Sequence, residues 1–152
     1  MQFLFFVLFV YFLLSQGKIS GNGGMKHMRY AWDGAQLITL AGECAGTLGH
    51  DRVGTAHFLL CLSAAPFWPG QLLQRFGLHR QLLQDLTVLA YGAGRPAAPS
   101  RRMTRNVRRM LHSAAAEARC AGACRIGAGH ILLALVRQEQ STAGQLLQLC
   151  RV

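Results

Sequence analysis

Two histidines occupy matching positions in this sequence, and histidine is the side chain best suited to acid–base chemistry or metal binding near neutral pH. His57 follows Gly54-Thr55-Ala56, and His130 follows Gly127-Ala128-Gly129. Each could be a ligand, a general base or a buried structural histidine. No serine or cysteine is spaced with an acid as a catalytic triad requires, and only six Asp and Glu residues are available. We therefore predict structural histidines, no catalytic residues, no cofactor and no enzyme activity.

Cysteines are the second group whose spacing could do chemistry. Cys120 and Cys124 are four residues apart and could hold a metal ion if His130 joined them. The five cysteines are odd in number and contain no CxxC pair, which argues against a disulfide framework and favours reduced thiols in a cytoplasmic protein. We interpret them as small buried hydrophobic residues and predict no metal site.

The positive charge raises a binding hypothesis. Sixteen Lys and Arg residues against six Asp and Glu residues give a formal charge of +10, which is typical of proteins with anionic partners. Arginines are densest between residues 95 and 109, and Arg101, Arg105 and Arg108 would share one face of a helix. Such a face could contact nucleic-acid phosphates or anionic lipid, but no aromatic residues are interleaved as stacking platforms. We prefer a solvated face or a docking site for an acidic protein.

An internal repeat supplies the elements that position these residues. Residues 48–62 align with residues 121–135 at an offset of 73, and the two histidines coincide. Apolar residues recur with a helical period from Asp33 to Leu48, and again from Met103 to about Ala121. No segment alternates with the two-residue period of a strand. The sequence therefore predicts an all-α tandem repeat with pseudo-twofold symmetry.

The turn residues refine these helices. Gly49 should end the first helix, Thr55 should cap the second, and Pro66 and Pro69 should end it. We interpret Pro66-Phe67-Trp68-Pro69 as core filling rather than as an exposed contact for unfolded peptide. Further helices are predicted at 71–76, 79–91, 129–138 and 142–150.

The chain divides into a leader and one domain. Residues 1–24 contain the uncharged apolar run Phe3–Leu14, which is too short for a simple membrane span and lacks a basic flank. It could be a signal peptide, a weak anchor or a dispensable extension before a start at Met25 or Met28. Residues 25–152 form the domain, with repeat one at about 30–91, a linker at 92–100 and repeat two at about 101–152.

The repeat resembles the Clp N-terminal domain, the helical domain at the front of bacterial Clp-type AAA+ unfoldases. The family typically reads EARRLGHDYVGTEHLLLALL, and residues 43–62 here read ECAGTLGHDRVGTAHFLLCL. The second copy opens with TRNVRRML at residues 104–111, similar to the family's TPRAKRVLELA helix. The resemblance covers about Tyr30 to Val152. It implies a bundle with four helices per repeat that captures substrates or docks adaptors for a Clp chaperone–protease.

The sequence departs from the family in three places. The Glu of GTEH is Ala56 in copy one and Gly129 in copy two, which puts in doubt the recognition of phosphorylated arginine known in some members. Thr55 becomes Ala128, which should remove a helix cap. The second repeat lacks its fourth helix, and we suggest that Phe3–Leu14 packs over the exposed surface.

These residues lead to a functional prediction. We expect a non-catalytic protein-binding module, stand-alone and degenerate, whose partner is a Clp-type ATPase, its clients or its adaptors. The alternatives are a basic nucleic-acid-associated protein on the same scaffold and a non-functional fragment of a Clp gene. A membrane partner, or an exported or tethered location, would require residues 3–14 to be retained. The predicted contact residues are Thr55, Ala56, His57, Phe58, Gly129, His130, Ile131, Arg101, Arg105 and Arg108.

Overall fold

A computed structural model describes residues 28–152 of the chain. The leader, the candidate start at Met25 and the packing suggested for Phe3–Leu14 lie outside the described residues, whereas the other candidate start, Met28, is the first described residue. The described part is built from helices and two very short strands, which in chain order are β1 Arg29–Tyr30, α1 Trp32–Thr47, α2 Thr55–Ala64, α3 Trp68–Arg75, α4 Arg80–Tyr91, α5 Arg105–Cys120, β2 Arg125–Ile126, α6 Ala128–Arg137 and α7 Thr142–Leu149.

The all-α class is confirmed, and the predicted helices are present with small shifts at their ends. One proline was assigned wrongly: Pro69 lies in the first turn of α3, where its missing N–H costs no hydrogen bond, so it begins a helix rather than ending one. Helix α3 therefore starts at Trp68, three residues before the predicted Gln71.

The core is centred on α2 and α6, which are apolar on every side. Every residue from Thr55 to Ser63 and from Ala128 to Val136 is buried. A helix that is apolar all round must be covered on all sides, and here the other helices surround this pair. The first turns of α2 and α6, which contain the two repeated histidines, are thereby held inside the domain.

The two halves of the described chain exchange short strands, a feature that the sequence reading did not predict. In the first half, β1 pairs in parallel with β2 of the second half, so that Tyr30 lies beside Ile126. In return, Met103 of the second half forms a bridge with Val53 of the first. Each pairing lies just before a central helix, so the exchange fixes where α2 and α6 begin relative to one another.

Matching glycines end the two long helices. Gly49 after α1 has a φ of 71°, and Gly122 after α5 has a φ of 70°. The next amide in each case bonds back five residues, from His50 to the Ala45 oxygen and from Ala123 to the Ala118 oxygen. This left-handed glycine cap confirms the predicted stop at Gly49.

Candidate functional site

The first turn of each central helix is closed by its own histidine. The extended residue before α2 is Gly54, and its N–H donates to Nδ1 of His57 at 2.8 Å. The same bond joins the N–H of Gly127 to Nδ1 of His130 at 3.0 Å before α6. Glycine has no side chain, so only the reciprocal half of a capping box is present, with histidine in the role usually taken by Glu or Gln.

The cap assigned to Thr55 was wrong. Thr55 is the first residue within α2, and its hydroxyl oxygen accepts from the N–H of Ala143 in α7 at 3.1 Å. Because the capping residues are the glycines, the change from threonine to Ala128 removes no cap from α6.

His57 belongs to a chain of hydrogen bonds whose protons can be assigned. Since Nδ1 accepts from Gly54, the proton of neutral His57 lies on Nε2 and is donated to Nδ1 of His50 at 2.7 Å. Nε2 of His50 then donates to the carbonyl oxygen of Gly92 at 2.7 Å. This series of hydrogen bonds connects the start of α2 with the loop after α4, and it requires both imidazoles to be neutral.

Tyr91 covers this histidine pair. Its ring stacks on His57 with centroids 5.2 Å apart and meets His50 edge-on at 5.6 Å. A Cβ on residue 54 would lie 2.3 Å from the Tyr91 hydroxyl oxygen, so only glycine fits at this position while Tyr91 holds its place. The tyrosine therefore closes the first turn of α2 from outside.

Burial and charge keep His57 neutral. Burial, together with the repulsion that a second positive charge would meet beside His50, lowers the pKa of His57 from 6.5 to about 4. Burial also lowers the pKa of His130, but the Asp33 carboxylate opposes that effect. Asp33 accepts from the N–H of Ala128 at 3.2 Å, which places a negative charge at the start of α6. The two histidines are structural elements in different electrostatic settings.

Most of the predicted contact residues lie inside the domain. Thr55, Ala56, His57 and Phe58 are at most 1% exposed, and Gly129, His130 and Ile131 are buried as well. Their side chains face neighbouring helices because α2 and α6 are central. These seven residues are therefore part of the packed interior, and their predicted role in binding stays a prediction.

The three predicted arginines are exposed, although not all on one helix. Arg101 lies before α5, which starts at Arg105, so it does not continue the helical face. On α5 itself Val107, Met110, Ala114 and Ala118 are buried. The opposite side carries an arginine face, made up of Arg105, Arg108, Arg109, His112 and Arg119, all of them exposed.

The arginine face carries little compensating charge. Among residues 28–152, the ion pairs are Arg52 and Arg102 with Asp51, and Arg137 with Glu117. None of them uses an arginine of the arginine face. Glu117 is the only acid on α5, and its carboxylate is taken by Arg137 of α6. The face is thus an uncompensated positive surface, as the solvated or docking interpretation requires.

The cysteine prediction needs correction. Cys120 and Cys124 are exposed, so they are not buried hydrophobic residues, whereas Cys61 is buried and Cys44 and Cys150 are half-buried. In the part of the chain that the structure covers, no three His, Cys, Asp or Glu side chains come together as a metal ion would need.

The Pro66–Pro69 loop is only partly core filling. Phe67 is half-buried, and Trp32 meets it edge-on with ring centroids 5.7 Å apart. Trp68 is 37% exposed and Pro66 is exposed, while Pro69 is buried. The loop therefore anchors the start of α3 and leaves part of its aromatic surface open.

Sequence reasoning missed His50, Tyr91 and Asp33, the partners of the two histidines. His50 stands in the same LGHD string as the helix stop, and this neighbouring histidine was the available signal. Tyr91 and Asp33 reach the turns only through tertiary packing, across distances of 34 and 97 residues in sequence from their histidines.

Known proteins contain sequences similar to parts of this chain. Residues 102–152 match the family model described as "Clp repeat (R) N-terminal domain". Over 120 residues, 78% of this chain, it is 29% identical to the chaperone protein ClpB of Oceanobacillus iheyensis and 29% identical to the negative regulator of genetic competence ClpC/MecB of Bacillus subtilis. The chain spans 15% of the length of these relatives.

A solved structure shares the fold. It is described as "Preliminary structural investigations of a malarial protein secretion system", and it superposes with a TM-score of 0.64 over 81% of this chain and 85% of its own. At 17% sequence identity this likeness concerns the fold alone. Among residues 28–152, no helix has the length and apolar character needed to cross a membrane.

Proposed function

We propose that this chain, which carries a Clp repeat N-terminal domain, is a non-catalytic protein-binding module. It would capture substrates for a Clp-type ATPase, or dock to that ATPase or its adaptors, in the cytoplasm. Support comes from the family match and from the Clp relatives aligned over 78% of the chain. The sequence contains no GxxxxGK[ST] phosphate loop, so the proposal includes no ATP hydrolysis.

The arginine face of α5 is the observation that carries a binding role. It is an exposed, uncompensated cluster of guanidinium groups on a rigid helix whose other side is fixed in the core. Guanidinium groups make paired hydrogen bonds to carboxylates, and they retain their charge at all physiological pH values. An acidic segment of a protein partner fits this surface, with Arg105 and Arg108 one helical turn apart.

Binding to a purified Clp-type ATPase from the same organism tests this proposal. We expect saturable binding of the full chain at moderate salt, and roughly fivefold weaker binding by Arg108→Glu, because an exposed charge pair contributes about 1 kcal/mol. Arg75→Glu is the charge-matched control, since Arg75 is exposed on α3 and outside the arginine face. No binding by the wild type, or equal losses in both variants, would contradict the proposal.

The same arginine face keeps a nucleic-acid role as the second candidate. Phosphate contacts release counterions, so binding to a DNA duplex would weaken steeply as salt increases. A titration from low to physiological salt would show a steep slope that Arg108→Glu reduces by about one unit. No affinity at about 50 mM salt would remove this candidate.

Recognition of phosphorylated arginine is left out of the proposal. The two positions where the family has glutamate are Ala56 and Gly129, which lack a carboxylate and are buried. The guanidinium of such a ligand would find no acceptor there. The division into repeat one, linker and repeat two is retained as our proposed domain organisation.

A further inference from the structure

Two cysteines from different helices line one cavity. The cavity has a volume of about 400 Å³ and is formed by α1, α2, the loop after α2, and α4. Cys44 comes from α1 and Cys61 from α2. The polar part of the cavity lining includes Glu43, Arg80 and Gln84. The apolar part of the lining includes Leu40, Leu48, Leu60, Ala65 and Pro66.

The two thiols differ in environment. Interaction with the Cys61 side chain lowers the pKa of Cys44, burial opposes the effect, and the Arg80 guanidinium assists it. Interaction with the Cys44 side chain raises the pKa of Cys61, and burial adds to the increase. Cys44 is half-buried, whereas Cys61 is 8% exposed.

We propose that Cys44 is an oxidation site for a small hydroperoxide and that Cys61 is its resolving partner, so that the pair forms a reversible disulfide between α1 and α2. The assignment rests on the shared cavity and on the unequal exposure of the two thiols. The more exposed Cys44 meets the oxidant, and the buried Cys61 lines the same cavity. This inference is independent of the proposed binding function.

The chemistry balances with hydrogen peroxide as oxidant. The Cys44 thiolate attacks one peroxide oxygen, the O–O bond breaks, and a sulfenic acid forms while hydroxide leaves and becomes water. The sulfur of Cys61 then attacks the sulfur of Cys44, so an S–S bond forms and the S–O bond breaks. The departing hydroxide takes the proton of Cys61 and leaves as a second water. The two thiols lose two electrons, and the peroxide gains them.

The cavity admits this reagent. Its volume is many times the roughly 30 Å³ that one water molecule occupies in the liquid, and a hydroperoxide is only slightly larger than water. Arg80 at the cavity supplies a positive charge that favours the thiolate of Cys44 and the hydroxide that leaves. Glu43 contributes a negative charge to the same lining, and it raises the pKa of Cys61 further.

Peptide mapping of the full chain after treatment with hydrogen peroxide tests the inference. Trypsin cuts after Arg52, so Cys44 and Cys61 leave on separate peptides that only a disulfide keeps together, whereas Cys120 and Cys124 remain on one peptide, 120–125. We expect a linked pair that contains Cys44 and Cys61, lost again on treatment with a dithiol reductant. Oxidation confined to the 120–125 peptide would overturn the proposal.

Variants then separate the two roles. Cys61→Ser should accumulate a sulfenic acid on Cys44 that a dimedone probe labels, whereas Cys44→Ser should show no such label on Cys61. The double variant Cys120→Ser/Cys124→Ser is the control and should form the 44–61 disulfide at an unchanged rate. Equal labelling of Cys61 in Cys44→Ser would show that Cys44 is not the preferred site. The wild-type peptide map does not depend on whether any variant folds.

Discussion

Helices α1 and α5 are equivalent in the repeat, yet the molecule uses their matching faces in opposite ways. Both are 16 residues long and end at a left-handed glycine. In α1, Gly42 and Gly46 lie directly under the segment 92–100, whose N–H groups bond to α1 carbonyls: Ser100 to Gly42 at 3.0 Å and Ala97 to Gly46 at 2.8 Å. At an offset of 73, the matching residues of α5 are Ala115 and Arg119.

The difference shows that the two copies of one helix lie in different surroundings. A Cβ at Gly42 or Gly46 would lie 2.6 Å from a carbonyl oxygen of the segment, so the glycines exist to let a second backbone approach. On α5 the matching positions are Ala115, which is partly buried against the core, and Arg119, which is exposed in the arginine face. The face of α1 holds the 92–100 segment, whereas the matching face of α5 is only partly covered.

The histidine turns differ in the same way. His57 is enclosed by His50 and Tyr91 and must be neutral, whereas His130 lies near the Asp33 carboxylate, which favours its charged form. The capping bond is common to both turns, but the surroundings determine how each responds to acid.

The largest expected effect is acid destabilisation through His57. Its pKa is about 4 in the folded chain against about 6.5 unfolded, so the unfolded chain binds more protons between these values. The free energy of unfolding is then undiminished above pH 6.5 and falls by about 1.4 kcal/mol per pH unit below it, roughly 3 kcal/mol by pH 4. Urea unfolding at a series of pH values measures this slope.

Glutamine provides the control for that titration. His57→Gln keeps an acceptor for the Gly54 N–H at the position where Gln caps helices, but it cannot take up a proton. We expect a flatter dependence on pH in this variant, with lower stability above pH 6.5 because the bond to His50 changes. His130→Gln should flatten the curve less. An unchanged slope in His57→Gln would mean that other groups cause the acid sensitivity.

The second-largest expected loss of stability concerns the face of α1 that the 92–100 segment covers. Gly42→Ala would gain about 1 kcal/mol in helix propensity, but its Cβ would displace the 92–100 segment, for a net loss of roughly 2 kcal/mol in the free energy of unfolding. The matched variant Ala115→Gly should lose only about 0.5–1 kcal/mol, the ordinary cost of glycine in a helix. Thermal melts of both variants, monitored by circular dichroism, compare them directly. A stabilised Gly42→Ala would show that the segment is not held there.

The smallest effect concerns the threonine that distinguishes α2 from α6. Thr55→Ala leaves the buried N–H of Ala143 without its acceptor and should cost about 1 kcal/mol. Thr39→Ala is the control, because Thr39 is exposed and its hydroxyl donates only to its own helix. Chemical denaturation should place the control within about 0.5 kcal/mol of the wild type. Equal losses in the two variants would remove the helix-to-helix role of Thr55.

Much of the fold could be predicted because its signals are local. The apolar period and the stop at Gly49 depend on residues within one or two helical turns, and the repeat offset depends on the match between two copies of one string. The errors arose where two local readings compete. Thr55 and Gly54 are both acceptable caps by type, and Pro69 can end one helix or begin the next. Only the backbone conformation of the flanking residues separates these alternatives.

The candidate site was predicted less well. Seven residues chosen from the family string are buried, since a strongly patterned string can record core packing as readily as a binding surface. The arginines were placed on the surface as expected. The glycines at 42, 46 and 49 indicate in the sequence that another backbone segment approaches closely. The sequence does not indicate which segment that is.

By itself, the sequence determined the helices and the duplication, because each follows from short-range periodicity and from the match between two copies of one string. The tertiary structure alone decided the strand exchange between the halves, the enclosure of His57 by Tyr91 and the cavity that Cys44 and Cys61 share. These contacts join residues from 17 to about 100 positions apart. Their formation depends on how α2 and α6 pack, and side-chain periodicity within one helix carries no information about its neighbour.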